Sequence, residues 1–314
     1  MRYLSALLFG ALVSVQSLAI ELDSGIPDDQ ARSLESDQAY LKKLQFQNGP
    51  NDEVTRKLLG LKGGLSAQSL QEWLDARVKL VISEKMDLEA AIMVAPGVAS
   101  YPEPKSFPKP DATKPRPKEQ SNGSASEPVL IMSNTGTALY MMAKQNRILL
   151  ALKKTDGDLL PIFSPREGMI QIGKGLFLER FRVSPSAQNL PANALSRLST
   201  LFHESRHSDG HGATLGFMHA ICPEGHAYAG YPACDKNLNG PYTVGAQTLN
   251  SLIAACGECT TKEKTTLKMI EADSRSRVLS TFRDAEGRVQ KAVSWSDRPE
   301  RMISFARTKG NDLE

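Results

Sequence analysis

Histidine is scarce in this chain, with five among 314 residues, alongside four cysteines, two tryptophans and 6% aromatic residues overall. Beyond the first twenty positions no apolar run approaches the roughly 20 residues that a spanning helix needs, so no membrane insertion is expected in the body of the chain. Lysine and arginine are dispersed rather than gathered into a block interleaved with aromatics, and the formal net charge is only +3. The electrostatic footprint of a nucleic-acid binder is therefore missing. No internal repeat is apparent.

The one early apolar stretch has a different character. Met1-Arg2-Tyr3 forms a short positive start, Leu4 to Val15 is apolar, and Ser17-Leu18-Ala19 places small residues where a signal peptidase reads them. Residues 1–19 are expected to be an export signal cleaved after Ala19. The run is short for a membrane anchor and meets Glu21-Leu22-Asp23 at once, and no cysteine follows that would mark a lipoprotein. Loss of Arg2 would lower the charge from +3 by one to +2. The expected location is the periplasm or the exterior.

Export bears on the cysteines. Cys222, Cys234, Cys256 and Cys259 are even in number, and in an oxidising compartment such a set usually pairs, so Cys222–Cys234 and Cys256–Cys259 disulfides are expected. The alternative, a four-thiolate zinc site, requires reduced sulfur. A redox role for Cys256-Gly257-Glu258-Cys259 would require a thioredoxin-like unit around it, and no such pattern is visible.

Because histidine is scarce, its placement is informative. Four of the five lie between residues 203 and 219, and two of them frame His203-Glu204-Ser205-Arg206-His207, an HExxH sequence. On a helix, positions four apart share one face, so His203 and His207 can offer imidazole nitrogens to one tetrahedral zinc ion. Glu204 sits roughly 100° around the helix from His203, better placed to take a proton from an attacking water than to ligate. The bland alternative is a surface helix with solvated side chains. Against it, Leu195, Leu198, Leu201 and Phe202 recur at helical spacing and give the motif a buried stripe, and Asp209-Gly210 supplies a stop.

The rest of the chain reads as α+β. Residues 20–99 suggest helices over Ala31 to Leu44, Ser66 to Val81 and Asp87 to Met93, a small helical module or a prosegment. Residues 100–128 hold Pro102, Pro104, Pro108, Pro110, Pro115 and Pro117, then Ser121-Asn122-Gly123-Ser124-Ala125-Ser126. This composition is a linker's, and few contacts are expected to cross it. Residues 129–314 begin with a helix near Thr137 to Met142. Strands at Arg147 to Leu152, Leu159 to Phe163 and Met169 to Gly173 follow, giving a small mixed sheet ahead of the HExxH helix. The edge of such a sheet can hold an extended peptide. Helices over Val244 to Cys256 and Thr260 to Val278 and a hairpin about Asp284 to Gly287 complete the reading.

His203-Glu204-Ser205-Arg206-His207 with a sheet before it resembles the zincin superfamily of zinc metallopeptidases over about 60 residues around the motif. Gly210 matches the glycine of the metzincins, but Ala213 stands where their third histidine belongs. The later glutamate of gluzincins and the aspartate of aspzincins are not cleanly matched either. The longer HExRHxDG run, with His219 to Pro223, Cys234-Asp235 and Asn239 to Tyr242, is similar to a group of exported bacterial proteins built around the same helix. The resemblance implies a zincin-like metallohydrolase domain acting on a peptide or protein substrate.

A catalytic zinc needs a third protein ligand. His219, on a segment returning to Cys222, is the first candidate; His211, His226, Asp235, Glu224 and Glu258 remain open. Tyr242, Tyr228 or Tyr231 can donate to a tetrahedral oxyanion. The expected activity is zinc-dependent peptide hydrolysis with Glu204 as general base. A reading from another class is a degenerate zincin serving as a cell-envelope binding or structural module.

Overall fold

A computed structural model describes residues 20–83, 85–86, 92–94, 149–161, 168–179, 182–207, 209, 219–283 and 288–291. The export signal, the proline-rich stretch, the expected helix near Thr137 and the turn at 284–287 lie outside these residues. Helices and small sheets alternate, so the α+β class holds.

Helix α1 (Asp28–Leu41) opens with Asp28 and Asp29 against its positive end. The polar α2 (Pro50–Leu58) follows. Helix α3 (Ala67–Asp75) starts at a reciprocal capping box, where the Ser66 hydroxyl accepts from Ser69 N at 3.0 Å and the Ser69 hydroxyl accepts from Ser66 N at 2.9 Å. The HExxH sequence closes α4 (Pro191–His207). Helix α5 (Pro241–Ala255) has proline in its first turn, and α6 (Thr261–Ser276) has a Thr260/Glu263 capping box.

Strands β1 (Glu21–Leu22) and β6 (Met169–Ile172) flank β2 (Leu80–Ser83), all parallel, with Leu80 opposite Met169 and Ser83 opposite Ile172. Strands β3 (Ile92–Val94), β4 (Leu149–Lys153) and β5 (Leu159–Pro161) form an antiparallel sheet. The turn after β4 reaches back to β1: Lys154 pairs with Glu21 at 2.7 Å, and Thr155 N donates to Asp23 at 2.7 Å. Strands β7 (Ala220–Ile221) and β8 (Pro232–Cys234) make a short hairpin, and β9 (Thr281–Arg283) with β10 (Val289–Lys291) makes the expected late one.

Three expectations need correction. The expected single mixed sheet resolves, among the described residues, into a parallel and an antiparallel one. Leu80–Ser83 is strand rather than helix tail, because an unbroken apolar run suits a strand covered on both faces; Ile92–Val94 is likewise strand. Finally, the segments either side of the proline-rich stretch share one core. Leu34 and Leu41 of α1, Trp73 and Leu74 of α3, and Val81 of β2 belong to the same buried cluster as Ile170, Leu198, Leu249 and Leu267.

Polar ties cross the same boundary. Arg197 on α4 donates to both carboxylate oxygens of buried Asp37 on α1, at 2.6 and 2.7 Å. Burial pushes the Asp37 carboxyl up to about 7 against the opposing pull of that guanidinium. Arg77, just past α3, donates to Asp209 at 2.9 Å, and Arg206 donates to the same oxygen at 2.8 Å. Trp73 stacks on Phe202 with ring centroids 5.6 Å apart. Residues 20–83 therefore brace α4 near both of its ends.

Candidate metal centre

Fourteen of the 17 residues of α4 are buried, which disposes of a solvated surface helix. Its last turn carries His203 and His207 on one face, with ring centroids 5.2 Å apart. The chain returns through His219, whose ring lies 5.1 Å from that of His203 and 4.7 Å from that of His207. One nitrogen from each of the three rings falls within 4.8 Å of the others, a group able to hold a metal ion. Glu204 does not project away as its helical angle suggests. Its carboxylate oxygens lie 4.0 Å from His203 Nε2 and 4.0 Å from His207 Nε2.

What positions His219 is the segment that follows it. The Cys222–Cys234 disulfide closes the β7–β8 hairpin. Asp235, immediately after, donates its N–H to the Arg277 carbonyl at 2.8 Å and accepts from Leu279 N at 2.9 Å. One of its carboxylate oxygens meets His219 Nδ1 at 2.8 Å, and the other accepts from Tyr242 N at 2.8 Å, in the first turn of α5. Two glycines permit these approaches. A Cβ on Gly240 would fall 2.4 Å from Asp235 Oδ2, and one on Gly245 would fall 3.2 Å from His203 Cβ.

The hydrogen bonds assign the protons. A carboxylate only accepts, so His219 carries a proton on Nδ1, and Nε2 is the nitrogen turned to His203. Pro241 has no N–H, so its backbone can only accept from the His203 ring. The two Nε2 atoms stand 3.2 Å apart. Two imidazole nitrogens this close either share a proton or hold one cation between them. Burial first, then repulsion from His219, His207 and Arg277 when the two rings are protonated, holds the His203 pKa well below the usual imidazole range. Three imidazole nitrogens converging in this way fit a divalent metal, and neutral imidazole is the form that ligates.

Tyr242 packs on two of the three histidine rings, 4.5 Å from His203 and 4.6 Å from His219. Its hydroxyl accepts from Arg277 Nη1 at 3.0 Å, and burial keeps it protonated by raising its pKa. Fully buried Arg277 lies 3.8 Å over the Tyr228 ring and also donates to Asp273. Tyr228 donates to Asp273 at 2.7 Å, while Tyr231 is exposed.

The other ligand candidates fall elsewhere. His211 is outside the described residues, and Glu224 and Glu258 are exposed. His226 lies with Cys222 and Cys234, but their sulfurs are bonded to each other and both its ring nitrogens are engaged, Nε2 by the Ser276 carbonyl at 3.0 Å and Nδ1 by Tyr228 N at 3.1 Å. The second expected disulfide, Cys256–Cys259, is also formed, and no free thiol remains among the described residues. No described helix is long and apolar enough to cross a membrane. The sequence reading missed Arg277, Gly240 and the Arg77–Asp209–Arg206 tie, and it took Asp235 for a rival ligand, whereas the carboxylate stands behind His219.

Compared with known proteins, the chain matches no protein-family model, and no curated protein or solved structure matches it significantly.

Proposed function

We propose that this chain is an exported zinc-dependent hydrolase of zincin type, acting on peptide or protein substrates. The observation that carries the reading is the convergence of one nitrogen each from His203, His207 and His219, with the Nε2 atoms of His203 and His219 3.2 Å apart and the Glu204 carboxylate beside them. His203, His207 and His219 would hold the metal, which when bound supplies Lewis acidity and a water made acidic enough to ionise near neutral pH. Glu204, buried and close to both helix histidines, accepts the proton of the attacking water and returns it to the leaving nitrogen. Tyr242 donates its hydroxyl proton to the developing oxyanion; Tyr228 has committed its own to Asp273. The two disulfides suit an oxidising compartment.

The rival, a degenerate zincin serving as a binding or structural module, draws on a missing third donor. The position of His219 counts against it. Turnover of a peptide library by wild type and Glu204→Gln tests the reading. The variant should keep zinc and lose hydrolysis by on the order of 10³-fold or more. Equal turnover in the two proteins would remove Glu204 as the base and the peptidase mechanism with it.

A further inference from the structure

We propose that Asp235 is the positioning residue of the metal centre: it fixes His219 in the one tautomer that can ligate and couples that choice to the start of α5. The inference rests on the metal-centre reading and names no step of catalysis. Asp235 is 2% exposed, and its two carboxylate oxygens are divided between two donors, His219 Nδ1 and Tyr242 N, each at 2.8 Å. Tyr242 N is a backbone amide and can only donate. One oxygen is thereby committed to the helix, and the carboxylate plane is set; the second oxygen then demands a proton on His219 Nδ1, which leaves Nε2, 3.2 Å from His203 Nε2, as the nitrogen free to ligate in the neutral ring. The backbone of Asp235 is held as well, by the Arg277 carbonyl on one side and Leu279 N on the other, next to the Cys222–Cys234 bond. Gly240 makes room for the carboxylate at a place where any other residue would put a Cβ within 2.4 Å of it.

Asparagine at 235 has nearly the same shape and only one acceptor, so it cannot serve both partners. If the amide oxygen stays on Tyr242 N, its NH₂ faces His219 Nδ1, and the ring escapes the clash only by moving its proton to Nε2, where it blocks ligation. If the amide turns over, NH₂ faces a backbone N–H. Either way the third ligand or the helix start is compromised, an effect that loss of bulk alone would not produce.

The test is a double-mutant cycle on zinc affinity, measured by competition with a chromogenic chelator in the full oxidised protein, together with ¹⁵N NMR of the histidine rings in metal-free wild type near pH 8. Asp235→Asn should weaken zinc about 10–100-fold, the range for removing a carboxylate behind a ligand. In a His219→Ala background it should add nothing further. The wild-type His219 ring should carry its proton on Nδ1. A loss from Asp235→Asn that persists undiminished without His219 would overturn the proposal, as would a wild-type ring protonated on Nε2, a measurement that needs no variant to fold. If wild type bound no zinc at all, the metal-centre reading itself would fall, an outcome distinct from normal zinc binding with the wrong tautomer.

Discussion

The two sides of the HExxH helix are held in contrasting ways. Toward residues 20–83 it is packed by mass: Leu195, Leu198 and Phe202 sit in a large apolar core with Leu34, Trp73 and Leu74, and buried ion pairs at Asp37 and Asp209 add direction. Toward the returning segment there is little apolar mass. Cys222, Ala233, Cys234 and Leu279 form a small cluster of their own with Tyr228 against it, and geometry comes from a disulfide, one carboxylate and one buried guanidinium. The apolar side contributes stability and no candidate reacting group, whereas the polar side contributes His219, Asp235 and Tyr242. Precise placement of donors is thus assigned to directional bonds, and the hydrophobic core serves as their foundation.

Substitutions can break this contrast. The largest effect is expected at His219, where alanine should drop zinc occupancy about as far as His207→Ala does, because each removes one of three donors. His226→Ala should leave occupancy near that of wild type. Metal analysis of the purified variants decides it, and full zinc in His219→Ala would move the third ligand elsewhere. On the other side, Asp37→Ala strands Arg197 in the core and should cost about 3–5 kcal/mol of stability. Zinc affinity of the folded variant should be unchanged, so a denaturant melt and a chelator titration on the same sample would separate foundation from site.

The disulfides sharpen the comparison with smaller effects. Replacing Cys222 and Cys234 by serine opens a loop with a sequence separation of 12, worth roughly 3 kcal/mol by chain entropy, and should also weaken zinc because His219 and Asp235 flank that bridge. Removing Cys256–Cys259, with a separation of only 3, should cost about 2 kcal/mol and leave zinc binding alone. Equal zinc affinities in the two double variants would refute the special role of the hairpin bridge.

How much of this was legible in the sequence follows the same division. Helices α4, α5 and α6 carry apolar periodicity, so their existence was readable, with the bounds of α5 and α6 expected at Val244–Cys256 and Thr260–Val278 against Pro241–Ala255 and Thr261–Ser276 in the structure. Helix α2 was missed because Pro50–Leu58 is polar and buries only Asp52 and Thr55, leaving no apolar stripe. The strand at Leu80–Ser83 was taken for helix because a continuous buried run has no period to distinguish the two. Within the site, HExxH spacing is local and was readable at once. The approach of His219 was suggested by its nearness to Cys222, but Asp235 and Arg277 acquire their roles only when the hairpin folds against the segment around Val278. No local pattern encodes which of three tyrosines lies on the histidine rings.

The parallel pairing of β2 with β6 has a consequence for how the chain can be interrupted. A parallel crossover must carry the chain from the end of one strand back to the start of its neighbour, here from Ser83 to Met169. Loop closure grows costlier only slowly with length, by about 0.6 kcal/mol for each doubling, so a long stretch can be spliced into this connection without unsettling the strands it joins. Proteolysis within residues 100–128 should accordingly leave two complementary fragments held together by the core they share. Residues 20–83 would remain as a subunit of the folded body, still supplying Asp37, Trp73 and Arg77 to a helix encoded more than a hundred residues later.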